Sequence, residues 1–173
     1  MLRLVFALCL AMALSGCQSM GDEPLRNEVA FNPAAAAFIN KKGKVTIEGH
    51  AFLRKKSGTT VNAAGEIVRL IPVTPYAQER FLRLYRGKKF AGGIFAPHQD
   101  AADPQYATLL RQTTAESDGT FSFANVAAGH YYIATQLQFE GSSKYFQEGG
   151  AFYEDVTISG KEEDPVKVVL SGN

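Results

Sequence analysis

The sequence predicts an all-β fold, an antiparallel sandwich of about seven strands carrying one helical insertion. Apolar and polar residues alternate with period two over several stretches between Lys44 and Leu170, the mark of strands with one buried face. Clusters of Gly, Ser, Asn and Asp separate these stretches roughly every dozen residues, a spacing that favours sandwiches over open sheets. The chain holds 16 glycines, 12 phenylalanines and seven tyrosines but no tryptophan, which suits strands joined by tight turns.

The first strand is predicted from Lys44, where Val45, Ile47, Gly49, Ala51 and Leu53 alternate with Thr46, Glu48, His50 and Phe52. Lys55-Lys56-Ser57-Gly58 turns the chain toward a short strand at Thr59 to Asn62. Ala63-Ala64-Gly65-Glu66 then leads into Ile67 to Val73, which Pro72 and Pro75 end. The region of about 74–107 breaks this rhythm. Thr74 and Pro75 supply a cap and a first helical residue. Ala77, Phe81, Leu84 and Tyr85 recur on one face, with Glu79, Arg83 and Arg86 opposite, so an amphipathic helix ending near Gly87 is expected. From Phe90 to Gln105 the sequence is irregular, and so long a connection in a small sandwich suggests a functional insertion.

Strands resume at Leu109 to Thr114, followed by a Ser117-Asp118-Gly119 hairpin turn and a strand that sets Phe121 and Phe123 on one side. A long strand follows Gly129, with Tyr131, Ile133, Thr135, Leu137 and Phe139 on one face and Tyr132, Ala134, Gln136 and Gln138 on the other. Further strands are expected at Tyr145 to Gln147, Phe152 to Ile158 and Val166 to Leu170.

The first residues read as an export signal. Arg3 precedes an apolar run from Leu4 to Leu14, too short for a bilayer-spanning helix, which needs about 20 residues. It ends in Leu14-Ser15-Gly16-Cys17, which resembles the lipobox of bacterial lipoproteins. That resemblance implies removal of residues 1–16, a thioether-linked diacylglyceryl group on Cys17 and acylation of the new amino terminus. Two or more acyl chains anchor stably where one does not. By the same analogy, Gln18 after the cysteine favours the outer membrane, facing the periplasm. Residues 17–41 are expected as lipidated amino terminus and tether, with a short helix where Asn32 caps Pro33 and the alanines after it. The domain itself is expected over 42–173. Cys9 leaves with the signal, so a chain cut there forms no internal disulfide. Removal of Arg3 leaves basic and acidic residues equal at 17 each, a balance that argues against a nucleic-acid partner.

Four segments together look like a carboxypeptidase regulatory-like domain. They are Glu48-Gly49-His50-Ala51-Phe52-Leu53, Ala64-Gly65-Glu66-Ile67-Val68-Arg69-Leu70-Ile71-Pro72, Thr113 through Phe123 with its Asp118-Gly119-Thr120-Phe121-Ser122-Phe123 hairpin, and Ala128-Gly129-His130-Tyr131-Tyr132. The resemblance implies a transthyretin-like (prealbumin-like) β-sandwich and an accessory module without catalytic residues. Two enzyme families share that fold. The hydroxyisourate hydrolases end in Tyr-Arg-Gly-Ser, whereas this chain ends Leu170-Ser171-Gly172-Asn173; the iron-ligand spacing of intradiol dioxygenases is not visible.

The expectation is therefore a non-catalytic, membrane-anchored binding or interaction module of the cell envelope. It needs no cofactor beyond the lipid on Cys17, and its partners are the membrane and an envelope protein. The surface expected to bind is the basic and aromatic part of the insertion: Arg80, Arg83, Tyr85, Arg86, Lys88, Lys89 and Phe90. A structural subunit of an envelope or secretion complex is the alternative by analogy. A metal protein or enzyme using His98 with Asp100 and Asp103 is another, although no His-x-His or His-x₃-His pairing supports it. Ser117 and Ser122 show no histidine and acid at triad spacing and read as turn and solvent-face residues.

Overall fold

In the computed structural model, which describes residues 28–55, 57–92, 101–141 and 147–172, two sheets face each other across one apolar core. The export signal, Cys17, His98, Asp100 and Tyr145 lie outside the described residues. Strand β1 (Val45–Arg54) is the axis of the first sheet. Strands β2 (Thr60–Asn62) and β6 (Thr120–Val126) lie antiparallel along one of its edges, and β9 (Val166–Ser171) lies parallel along the other. The second sheet is antiparallel throughout, in the order β4 (Phe90–Gly92), β8 (Gln147–Ile158), β7 (Gly129–Glu140), β3 (Ile67–Pro72), β5 (Arg111–Thr114). The described residues thus contain nine strands, not seven, and one parallel pair. That pair arises because the chain leaves β8 in one sheet and enters the other beside Ile47, near the start of β1, with its direction already set.

The period-two pattern places the core as expected. Val45, Ile47, Ala51 and Leu53 are buried, as are Phe121 and Phe123 of β6 and Tyr131, Ile133, Thr135 and Leu137 of β7. Gly49 keeps this alternation without a side chain: a Cβ there would lie 2.1 Å from the Phe121 ring, which occupies its place. The two polar groups of β7 that face inward are satisfied. The Thr135 hydroxyl donates to the Ile67 carbonyl at 2.9 Å, and the Tyr131 hydroxyl donates to Ala127 at 2.9 Å. Burial pushes the Tyr131 phenol up to about 12.

Three local features were not visible as patterns. Strand β8 is continuous where two strands were expected, because Gly149-Gly150-Ala151 shows no alternation yet pairs along β7. Gly149 has φ 116°, and a Cβ on it would lie 2.0 Å from the Leu137 carbonyl oxygen. Strand β4 is three residues long, too short to show a period, and forms by pairing Phe90 with Phe152 and Gly92 with Gly150. Helix α3 (Pro104–Thr108) follows Asp103, whose carboxylate accepts from the Gln105 amide at 2.8 Å.

The segment before β1 departs most from expectation. Helix α1 (Pro33–Ala36) forms as predicted, with the Asn32 side chain accepting from Ala34, and continues as a 3₁₀ turn over Ala37–Asn40. However, this segment is no free tether. Ala36 and Ile39 are buried, Phe38 packs edge-on against Tyr131 at 5.3 Å, and Phe31 packs against Tyr76 and Tyr106. From Glu28 onward the chain belongs to the domain.

The second layer outside the five-stranded sheet is helix α2 (Pro75–Tyr85). Its start is capped by Thr74, whose hydroxyl accepts from Ala77, and its end by Arg86 in the left-handed region at φ 51°. Tyr76, Ala77, Phe81 and Tyr85 are buried. Phe81 stacks on Tyr132 of β7 at 4.2 Å and meets Tyr153 of β8 edge-on at 4.8 Å.

Candidate functional site

The outer face of the four-stranded sheet carries the side chains that β1, β6 and β9 do not give to the core. The register aligns them in two rows across three strands. Ser122, Glu48 and Lys167 form one, and Thr120, His50 and Val169 the other. Neighbouring strands lie about 4.8 Å apart, so the rows present hydroxyl, carboxylate, imidazole and ammonium groups at close, regular intervals. Thr113, Thr114 and Glu116 carry the surface on beyond β6, and the whole forms an open trough of ≈ 650 Å³. That volume lies within the range of small-ligand sites.

Two interactions order this surface. The Lys167 ammonium donates to the Glu48 carboxylate, an exposed ion pair that holds both long side chains across the β1–β9 boundary. His50 Nε2 lies 2.9 Å from the Asp118 carbonyl and 3.2 Å from Asn62 Oδ1. A carbonyl can only accept, so Nε2 carries a proton and pins the turn between β5 and β6, where the chain crosses from one sheet to the other. Asp118 in turn accepts from the hydroxyl and the amide of Thr120, which hold its carboxyl below the usual carboxylate range. The trough therefore offers a braced set of donors and acceptors suited to a polyhydroxy ligand.

A second, smaller cleft of ≈ 210 Å³ lies between α2 and the five-stranded sheet, lined by Arg69, Arg80, Phe81, Tyr85, Tyr106 and Gln136 among others. Burial pushes the phenols of Tyr85 and Tyr106 well above their ordinary value, so both stay neutral.

The basic and aromatic surface expected on the insertion does not assemble. Tyr85 is only 3% exposed, and Phe90 sits in β4 against the core. Arg80 lies over the rings of Tyr76 and Tyr106 at 5.7 and 5.9 Å. Arg83 is held by Glu79 at 2.6 Å and Glu28 at 3.3 Å. Lys89 pairs with Glu154 and Asp155 and lies 4.5 Å above the Tyr153 ring. Arg86 and Lys88 alone among the seven are exposed. The physical reason is tertiary packing: aromatic residues bury their area, and acids brought in by β8 and the amino-terminal segment, with Glu79 of the same helix, take up Arg83 and Lys89. Among the described residues no cluster of three His, Cys, Asp or Glu could hold a metal ion, and no helix is long and apolar enough to cross a membrane.

The Glu79 carboxylate also accepts from the backbone amides of Glu28 and Val29 at 3.0 and 2.8 Å. These amides, with Arg83, hold its carboxyl below the ordinary value of 4.5. A depressed carboxyl stabilises the docked segment above that value, and the contribution is lost as pH falls through the lower, folded pKa. Exchange of the Glu28 and Val29 amide protons, corrected for intrinsic rate, should therefore accelerate on acidification below 4.5. Glu79→Gln should remove the step; unchanged protection of the native chain through the acid range would contradict the role given to Glu79.

The trough residues escaped the sequence reading because each is an ordinary solvent-side position of its strand. Lys167 and Glu48 are 119 residues apart, and only the parallel β1–β9 pairing brings them together. Alternation marked Glu48, His50 and Ser122 as outward-facing, and nothing in it marked them as neighbours.

No protein-family model and no curated protein matches this chain, so the carboxypeptidase regulatory-like resemblance rests on the quoted segments. Among solved structures, the chain is similar to one described as "a putative carbohydrate binding protein (PA1324) from Pseudomonas aeruginosa", at 26% sequence identity and a TM-score of 0.71. The match covers 83% of this chain and 98% of that one.

Proposed function

We propose that this chain is a non-catalytic carbohydrate-binding module of the cell envelope, held to the outer membrane by lipid on Cys17, with the four-stranded-sheet trough as its site. The observation that carries the reading is the pair of cross-strand rows, Ser122–Glu48–Lys167 and Thr120–His50–Val169, in a sandwich similar to a protein described as carbohydrate binding. Sugars expose hydroxyls that both donate and accept, together with apolar C–H faces. Glu48, Ser122, Thr120 and Lys167 supply partners for the former, and exposed Val169 supplies a surface for the latter. His50 is a positioning residue, since its Nε2 is engaged by the β5–β6 turn and by Asn62.

The test is a glycan array, with peptidoglycan fragments included, followed by calorimetry on the best ligand. Ser122 is exposed and lines the trough, and a strand tolerates an aromatic residue there. Ser122→Trp should fill the trough and weaken binding by at least about tenfold while leaving the melting temperature unchanged. Retention of no carbohydrate by the native chain, or native affinity in Ser122→Trp, would reject the reading. For the anchor, Cys17→Ser should move the protein out of the membrane fraction.

A further inference from the structure

The place where the amino-terminal segment joins the domain decides which side of the sandwich meets the bilayer. Glu28 and Val29 are bound through their amides to Glu79, and the Glu28 carboxylate pairs with Arg83, so the preceding chain reaches the domain at the solvent side of α2. Helix α2 covers the outer face of the five-stranded sheet, whereas the two rows of the trough lie on the outer face of the other sheet. The two surfaces are opposite sides of the molecule, separated by a helix layer and two sheets, or roughly 30 Å at about 10 Å per layer.

Cys17 to Glu28 is eleven residues of chain. Whatever conformation they adopt, they reach at most about 40 Å. Turning the trough toward the membrane would require most of that reach merely to pass the depth of the domain. With α2 toward the membrane, no such detour is needed.

The surface around the attachment point has the matching chemistry. Leu82 is 64% exposed and Val29 40% exposed, although both are apolar. Arg86 and Lys88 are exposed at the end of the same helix. Leu82 and Arg83 follow Glu79 by three and four residues, so Leu82 borders the side on which the amino-terminal segment lies, and Arg86 caps the helix one turn beyond them.

We infer that the α2 face, through Val29, Leu82, Arg86 and Lys88, lies on the phospholipid headgroups, so that the trough opens away from the bilayer. Leucine and valine enter the interfacial layer while the two cations meet lipid phosphates. The inference rests on the lipid anchor at Cys17 proposed above, and it gives the trough access to ligands at a distance from the membrane.

Cleavage before Cys17 leaves that lipidated residue as the mature chain's single cysteine, so one further cysteine can be labelled uniquely. Acylated protein carrying Leu82→Cys or Val169→Cys, each with an environment-sensitive fluorophore, is placed in phosphatidylethanolamine–phosphatidylglycerol vesicles containing a headgroup nitroxide lipid. Quenching at position 82 should exceed that at 169 by at least about twofold, and Arg86→Glu with Lys88→Glu should reduce it. Equal quenching at both positions, or stronger quenching at 169, in protein that floats with the vesicles overturns the orientation alone. Acylated protein that fails to float overturns the anchor and the orientation with it.

Discussion

Replacing Phe152 with alanine should cost about 3–5 kcal/mol of folding stability, the range for truncating a buried phenylalanine. The ring is fully buried at the centre of β8. Its strand position is held on both sides, opposite Thr135 of β7 and opposite Phe90 of β4. The edge strand β4 is three residues long and depends on this partner, so the cavity cannot close by sliding a neighbour inward without loosening the sheet edge. Against the 5–15 kcal/mol typical of whole domains, such a loss would leave little margin. Urea unfolding at neutral pH measures it. A loss below about 1 kcal/mol, within the range of ordinary surface changes and mild repacking, would show that Phe152 does not close the core.

The second large effect concerns the segment expected to be a tether. A chain beginning at Lys42 should be less stable than one beginning at Glu28 by roughly 3–5 kcal/mol. Burying an aliphatic side chain such as Ile39 contributes about 1.5–3 kcal/mol, and Phe38 and Ala36 add to it. Removal would also uncover Gly129, where a Cβ would stand only 2.4 Å from the Phe38 ring, and the face of Tyr131. Paired denaturation curves of the two chains decide the matter. Equal midpoints would restore residues 28–41 to the role of linker.

The attitude of the domain to the membrane depends on the same docked segment. A domain that began at Lys42 would hang on about 25 residues of chain, reach at most about 80–90 Å and take any attitude to the membrane. Because Glu28 and Val29 are fastened to Glu79, the free length is shortened and its origin is set on one face.

Alternation, turn residues and helix-capping signals were sufficient for most strands, the turn at Asp118-Gly119 and helix α2, because each depends on contacts close along the chain. The hairpin expected there is instead a crossing between sheets, since β5 pairs with β3 and β6 with β1. Thr74 capping α2 and Asn32 capping α1 are cases in which a side chain meets a backbone amide two or three residues away. Strand β4 and the unbroken length of β8 required a partner strand before they had any reason to form. The burial of Ile39 likewise required a finished sandwich to pack against. The candidate site lay furthest from view. Its two rows exist only once β9 has crossed between sheets and aligned parallel to β1, and the expected binding residues lost their surface when distant acids paired with Arg83 and Lys89. Local patterning thus settled which residues face inward, since burial of apolar area follows the period of the backbone. Tertiary pairing settled which outward residues became neighbours, since that depends on register between strands more than a hundred residues apart.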